Sequence, residues 1–356
     1  MERRSPTALK RLTAFSILTL VLVVPSSLFV YKWGGAFRAV VKVQNTGAYK
    51  APEELVATAG LPFLLAGGAR TINYLATVWP ALVFGVLIAG LVRAFVSASD
   101  VTALLGSGGL RQQLVGGLVG MPLMLCSCCV APIFSSVHAR GARLGGALAV
   151  MLSSPSLNLA ALVLTFLLFP QDMALARVAL AVFAVFILPM IIERLARGEA
   201  CAITVPGSNR PSEESVPRNP IQVIGQWAAS SGSVAVRTLP MIVLGVFASG
   251  LLVGSVQQSS APGGPAILTI ALVALFATLI ALPTFFEIPL GMLLLANGFP
   301  SGAVVAMLFA GPAINTPSLL TLARVSSRKV ALLAFLGVWC AATLGGLLLE
   351  FWAAAS

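Results

Sequence analysis

Charge is scarce in this chain. Only 9% of its 356 residues are charged while 58% are hydrophobic, and the mean hydropathy is +0.99. A soluble fold of this length needs a wetter surface, so a bilayer has to serve as solvent for the outer face. Histidine is limited to His138, which argues against haem or quinone redox chemistry. No G-x-x-x-x-G-K-[ST] loop occurs, which excludes ATP hydrolysis by that route. Cysteine is also sparse. Three of the five, Cys126, Cys128 and Cys129, are crowded into one apolar stretch, and Cys201 and Cys340 stand alone. That is no secreted disulfide framework. The net charge of +11 does not mark a nucleic-acid binder, because Lys and Arg lie mainly between the apolar runs and no basic cluster is interleaved with aromatics.

What the chain does have is long apolar runs, each near the length that spans a bilayer. They fall at 13–31, 72–96, 112–138, 143–169, 173–193, 237–256, 264–296, 300–323 and 330–353. The expectation is an all-α polytopic membrane protein with about nine spans. The first run follows a basic N-terminus but lacks a clear cleavage site, so it reads as a retained span. Segment 32–71 is mixed, with a short apolar piece near Leu55–Leu65 of interfacial or re-entrant character. Segment 194–236 is the most polar, and its Pro- and Ser-rich stretch at 205–220 reads as a solvated linker.

That linker separates two similar halves, 72–193 and 237–356, which follow an N-terminal segment, 1–71. Pro80, Gly85, Val86 and Gly90 match Pro240, Gly245, Val246 and Gly250 at an offset of 160. Pro132, Gly141, Gly145, Ala149, Pro155 and Asn158 match Pro289, Gly298, Gly302, Ala306, Pro312 and Asn315 at an offset of 157. Matches at Pro and Asn are not the coincidences that apolar, low-complexity sequence yields. Internal repeats with broken helices are the signature of secondary transporters, with the substrate near mid-membrane. Four helices per repeat make the repeats parallel. If one segment per half is re-entrant, they are inverted. The chain's membrane orientation stays open, since the N-terminus, 32–71 and the linker are all basic.

Candidate chemistry lies at the interruptions. In MPLMLCSCCVAP, at 121–132, Pro122 and Pro132 flank three thiols. Each proline removes a backbone donor, and the freed groups have to be buried in protein or line a wet cavity. Thiolates favour soft ions. Cys126 and Cys129 share a helix face, and Cys128 joins them only if the helix breaks. In the second half, Pro283 and Pro289 flank Glu287, a costly carboxylate that marks a substrate path or proton relay, or else is a fixed, paired structural acid or one near the interface. SSPSLN at 153–158 and GPAIN at 311–315 place Pro155, Asn158, Pro312 and Asn315 at further expected breaks. The two asparagines either bind substrate or satisfy carbonyls freed by the breaks. His138, near Arg140 and Arg143 in a short turn, reads as a loop residue.

Together, the Cys-Ser-Cys run before Pro132, Gly141, SSPSLN, Pro289, Gly298 and GPAIN resemble the predicted-permease family that contains the organoarsenical efflux permeases, over about 72–350. The resemblance implies an inner (plasma) membrane permease exporting trivalent methyl or aromatic arsenicals. Cys129 departs from the pattern by adding a thiol. The reading is of a secondary transporter, not an enzyme, with no cofactor and no fixed metal. Its partners are membrane lipid, a small thiophilic solute held by Cys126, Cys128, Cys129, Asn158 and Asn315, and protons carried by Glu287. The competing readings are a membrane-embedded thiol redox enzyme and a non-transporting assembly subunit.

Overall fold

The computed structural model describes residues 6–46, 54–58, 60–196, 220–256, 265–283 and 285–355. Among them all regular structure is helical: α1 (Pro6–Thr46), α2 (Phe63–Phe95), α3 (Ala98–Leu105), α4 (Gly109–Gly120), α5 (Ser127–Ala139), α6 (Leu144–Ser156), α7 (Leu159–Leu168), α8 (Gln171–Phe186), α9 (Leu188–Leu195), α10 (Pro220–Val256), α11 (Ala266–Leu279), α12 (Glu287–Ala296), α13 (Ser301–Ala313), α14 (Thr316–Val325) and α15 (Arg328–Ala355). Five segments are long and apolar enough to cross a bilayer, in α1, α2, α8–α9, α10 and α15. The pairs α6–α7 and α13–α14, bent by 40° and 45°, raise the number to seven if each is one span.

Two of the nine apolar runs are built differently. Run 112–138 consists of α4, a single 3-10 turn (Met121–Leu123) and α5. Its two ends lie on one face. Arg143 N, just past α5, donates to Leu105 O, just before α4, at 3.2 Å, and Gly145 in the first turn of α6 is surrounded by the Gln112 and Gln113 side chains of α4. The run therefore doubles back on itself. Run 264–296 repeats the pattern as α11, a break and α12. Gly302 at the start of α13 lies against Ile270 near the start of α11, and Thr316 Oγ1, beyond the far end of α13, donates to Leu279 O at the end of α11 at 2.6 Å. Both returning strands of chain turn into the next helix through a glycine in the left-handed region, Gly141 at φ 96° and Gly298 at φ 77°. A side chain is strained there, which gives a physical reason for the matched glycines.

The long helices pair antiparallel. Gly90 of α2 lies against Ser231 of α10, and Gly250 of α10 lies against Gly67 and Arg70 of α2. Likewise Leu188 of α9 meets Gly337 of α15, while Leu180 of α8 meets Gly345. At the centre stand α6 and α13, LGGALAVMLSSPS and SGAVVAMLFAGPA, which are buried almost all round. Their small residues let backbones approach closely, which drives helix association where no hydrophobic gain is available.

Boundaries shift in two places. α1 continues past the 13–31 run to Thr46, through Lys32, Arg38 and Lys42. α10 begins at Pro220, inside the segment read as polar linker, so that proline serves as a helix start. Cys201 and most of the 205–220 stretch lie outside the described residues.

Candidate functional site

The chain breaks at the tips of the two hairpins. Each tip holds a non-glycine residue in the left-handed region, Met124 at φ 48° and Phe285 at φ 73°. Such backbone costs energy and persists where surrounding contacts enforce it, often at functional sites. At the first tip the enforcing contact is Ser154 of α6. Its hydroxyl accepts from Leu125 N at 2.9 Å and donates to Leu125 O at 3.3 Å.

The break restarts as α5 one residue after Cys126, whose carbonyl accepts from Cys129 N at 3.0 Å and from Val130 N at 3.1 Å. Cys126 thus precedes the helix while Cys128 and Cys129 occupy its first turn. This brings all three sulfurs within 4.8 Å of one another. Cys126 Sγ lies 2.6 Å from Cys129 Sγ and 3.1 Å from Cys128 Sγ, and Cys128 and Cys129 are 3.7 Å apart. All three are buried free thiols. A second element completes the cluster. Tyr74 of α2, also buried, places its Oη 3.0 Å from Cys128 Sγ. α2 approaches this closely because Gly85 has no Cβ, which would collide with the Cys129 carbonyl. Three convergent thiols suit one soft, three-coordinate centre, or two of them a centre with two exchangeable ligands.

The prolines divide into two kinds. α6 ends one residue after Pro155 and α13 one residue after Pro312. Pro132 and Pro289, expected at breaks, lie instead inside continuous helix, in α5 and α12. Pro289 is the third residue of α12, where an N–H has no helical partner to lose. Pro132 sits deeper in α5 and leaves the Cys128 carbonyl without its usual donor. The breaks occur before these helices, at the tips.

Asn158 and Asn315 are the caps of the helices that follow the bends. Asn158 Oδ1 accepts from Ala160 N at 3.2 Å and Ala161 N at 3.4 Å. Asn315 Oδ1 accepts from Ser318 N at 3.2 Å, and Ser318 Oγ accepts from Asn315 N at 2.9 Å, a reciprocal cap. The groups they satisfy are N–H donors, not carbonyls. The Asn315 Nδ2 is buried with no partner among the described residues.

Glu287 opens α12 at the second tip and is 2% exposed. It is not alone: Arg177 of α8, 1% exposed, donates from Nη2 to Glu287 Oε1 at 3.0 Å and from Nη1 to Thr165 Oγ1 of α7 at 2.5 Å. Arg177 and Tyr74 are the two site residues that sequence reasoning missed. An arginine inside the apolar run 173–193 was a readable signal, because an intramembrane cation calls for a buried anion. Tyr74 carried none. The two centres are held by different elements, the thiols by α2 and α6 and the ion pair by α7 and α8. Cys340 is exposed.

The chain matches the predicted permease profile ArsP_1 over residues 69–351. It belongs to that family. The permease is 26% identical over 284 residues to the UPF0718 protein YraQ of Escherichia coli, covering 78% of this chain and 79% of that one. It is 22% identical over 319 residues to the UPF0718 protein MJ0584 of Methanocaldococcus jannaschii, covering 72% and 87%. A 90-residue stretch, 25% of the permease, is 28% identical to the UPF0718 protein YcgR of Bacillus subtilis. No solved structure gives a significant match.

Proposed function

We propose that this permease exports soft, thiophilic solutes, foremost trivalent organoarsenicals, across the inner (plasma) membrane, and that it does so by alternating access between two inverted repeats. The observation that carries the proposal is the cluster of Cys126, Cys128 and Cys129, buried at a hairpin tip with sulfurs within 4.8 Å. A trivalent arsenical with one organic group offers two exchangeable positions, and thiols are the ligands it prefers. Repeated order of elements supports the transport reading: long helix, hairpin, bent pair, long helix, in each half. The reciprocal contacts of α2 and α10 are those of a two-fold axis. With a hairpin in place of one span per half, each repeat crosses three times and the second runs opposite to the first.

Export needs an energy source, and the sequence holds no nucleotide loop. Glu287 is our candidate proton carrier. Protonation removes the charge that holds Arg177 and so weakens the pair, which would couple proton uptake to movement of the second hairpin. Asn315, with its free Nδ2, is a candidate for contact with a polar group of the solute.

The test is a resistance and uptake panel in a sensitive host, with arsenite, methylarsenite, phenylarsenite, antimonite and mercury. Selective resistance with lowered accumulation of the organoarsenicals is the expected result. Unchanged accumulation of every compound overturns it. A thiol redox enzyme is the second reading. It has in its favour that Cys126 and Cys129 form a C-x-x-C at a helix start, in contact at 2.6 Å. Turnover of a dithiol substrate by the purified protein, without transport in vesicles, would select it.

A further inference from the structure

We propose that Tyr74 is the proton relay of the thiol site, passing the Cys128 proton to the hydroxyl that leaves the arsenical. The proposal rests on the reading that the site takes trivalent hydroxyarsenicals, and it adds how they are loaded and released in an apolar interior.

The chemistry sets the need. Binding replaces an As–OH by an As–S bond. The S–H bond breaks, the As–S bond forms, the As–O bond breaks, and the hydroxyl leaves as water with the proton that came from sulfur. Arsenic stays trivalent, and no electron donor or acceptor is needed. In water the proton travels through solvent. Around Cys128, which is 0% exposed, a free thiolate and a free proton are costly to separate.

Tyr74 meets the need by position. Its Oη is 3.0 Å from Cys128 Sγ, and either atom is able to donate. The phenol oxygen takes the thiol proton while its own proton goes to the leaving hydroxyl, so tyrosine emerges unchanged. Release runs the same steps backwards. The neighbouring hydroxyl of Ser154 is not free for this work, since it is bonded to both the N–H and the carbonyl of Leu125. Cys126 and Cys129 offer Cys128 only other thiols, at 3.1 and 3.7 Å. The competing account is packing: a buried tyrosine hydroxyl takes whatever partner is at hand.

Tyr74→Phe removes the hydroxyl and keeps the ring, and a kinetic test separates the two accounts. Full-length protein, wild type and Tyr74→Phe, is mixed with phenylarsine oxide, and capture is followed by stopped flow from pH 6 to 8. The relay predicts that capture slows about 100-fold at pH 7, the ordinary worth of one positioned acid–base group. It also predicts that the variant's rate climbs with pH, as bulk hydroxide takes over, while equilibrium affinity changes by less than about threefold. Equal rates with the same pH profile overturn the relay and leave Tyr74 as packing. A second measurement needs no arsenical. In protein whose only thiol is Cys128, made by Cys126→Ser, Cys129→Ser, Cys201→Ser and Cys340→Ser, alkylation by iodoacetamide should slow at least threefold on Tyr74→Phe. An unchanged alkylation rate also counts against the relay. If wild type captures no phenylarsine oxide but alkylation still slows, the arsenical reading fails, and Tyr74 handles the Cys128 proton for another electrophile.

Discussion

Asn158 and Asn315 show how one residue type, read twice in a sequence, reveals a local job and conceals which one. Both were legible as matched polar groups in apolar surroundings. Whether they bind solute or satisfy the bend depended on the direction of the side-chain oxygen, which only the structure gives: each caps the helix that restarts after the bend. Losing such a cap costs about 1 kcal/mol. Asn158→Ala and Asn315→Ala should each lower the thermal midpoint of purified protein, and Asn158→Ser and Asn315→Ser, which keep a neutral capping oxygen, should recover most of the loss. If Asn315 also contacts the solute through Nδ2, Asn315→Ser will recover stability and leave transport impaired. The cysteines are the opposite case. Their type and spacing announced a soft site, and the break before Ser127 was needed to bring Cys128 to the others. Cys126→Ser and Cys128→Ser should abolish resistance to organoarsenicals with normal expression, and Cys129→Ser should weaken it. Cys340→Ser, at an exposed position, should do nothing. Normal resistance in the triple serine variant at 126, 128 and 129 would make the cluster mere packing.

Between elements, the Arg177–Glu287 pair is the contact that ties the tip of the second hairpin to α8 and, through Thr165, to α7. Sequence marked the acid and overlooked the base 110 residues earlier. A carboxylate between two prolines is conspicuous, whereas one arginine in a helix that ends in other charges passes as an interfacial residue. Burial of both partners makes half a pair worse than none. Removing one charge leaves the other unpaired in a low dielectric, at a cost of about 3–5 kcal/mol, while an apolar pair of similar volume is often neutral. Arg177→Met alone should therefore cut the yield of folded protein sharply. Arg177→Met combined with Glu287→Met should recover the fold, read by size-exclusion profile and thermal midpoint. If the pair is the coupling element, the double variant will fold yet no longer concentrate solute. Glu287→Gln leaves Arg177 without its anion and should lower the yield as well. The fraction that elutes as folded protein is the one to assay, and it should bind solute without proton-driven accumulation. Wild-type accumulation that still follows the proton gradient in that variant would remove Glu287 from the coupling step.

At the scale of the whole molecule, the two hairpins change the arithmetic of topology. Counted as spans, the nine apolar runs scatter basic segments on both sides of the membrane and leave its orientation open. If runs 112–138 and 264–296 enter the membrane and return, then the end of α2, both ends of the first hairpin, the end of α9, the start of α10 and the turn between α14 and α15 share one face. That face carries Arg93, Arg111, Arg140, Arg143, Arg194, Arg324, Arg328 and Lys329. Among the described residues the opposite face has Glu54, Asp172 and Glu350 near its helix ends, with Arg38, Lys42 and Arg70 as its basic residues, while Asp100 and Glu193 are the acids of the first face. Short loops rich in Lys and Arg remain in the cytoplasm, so the face of the first hairpin should be cytoplasmic and that of the second should face outward. Arg140 and Asn297 are the residues at which α5 and α12 end, matched at an offset of 157 in the two halves. Single cysteines placed there, in protein whose native cysteines are serine, test orientation and inversion together. Asn297→Cys should react with a membrane-impermeant thiol reagent in intact cells, and Arg140→Cys only after the cells are opened. Labelling of both from one side would rule out inverted repeats. Labelling from opposite sides in the reverse sense would keep the inversion and turn the molecule over, placing the first hairpin, with its three thiols, on the outer side as a site of uptake instead of export.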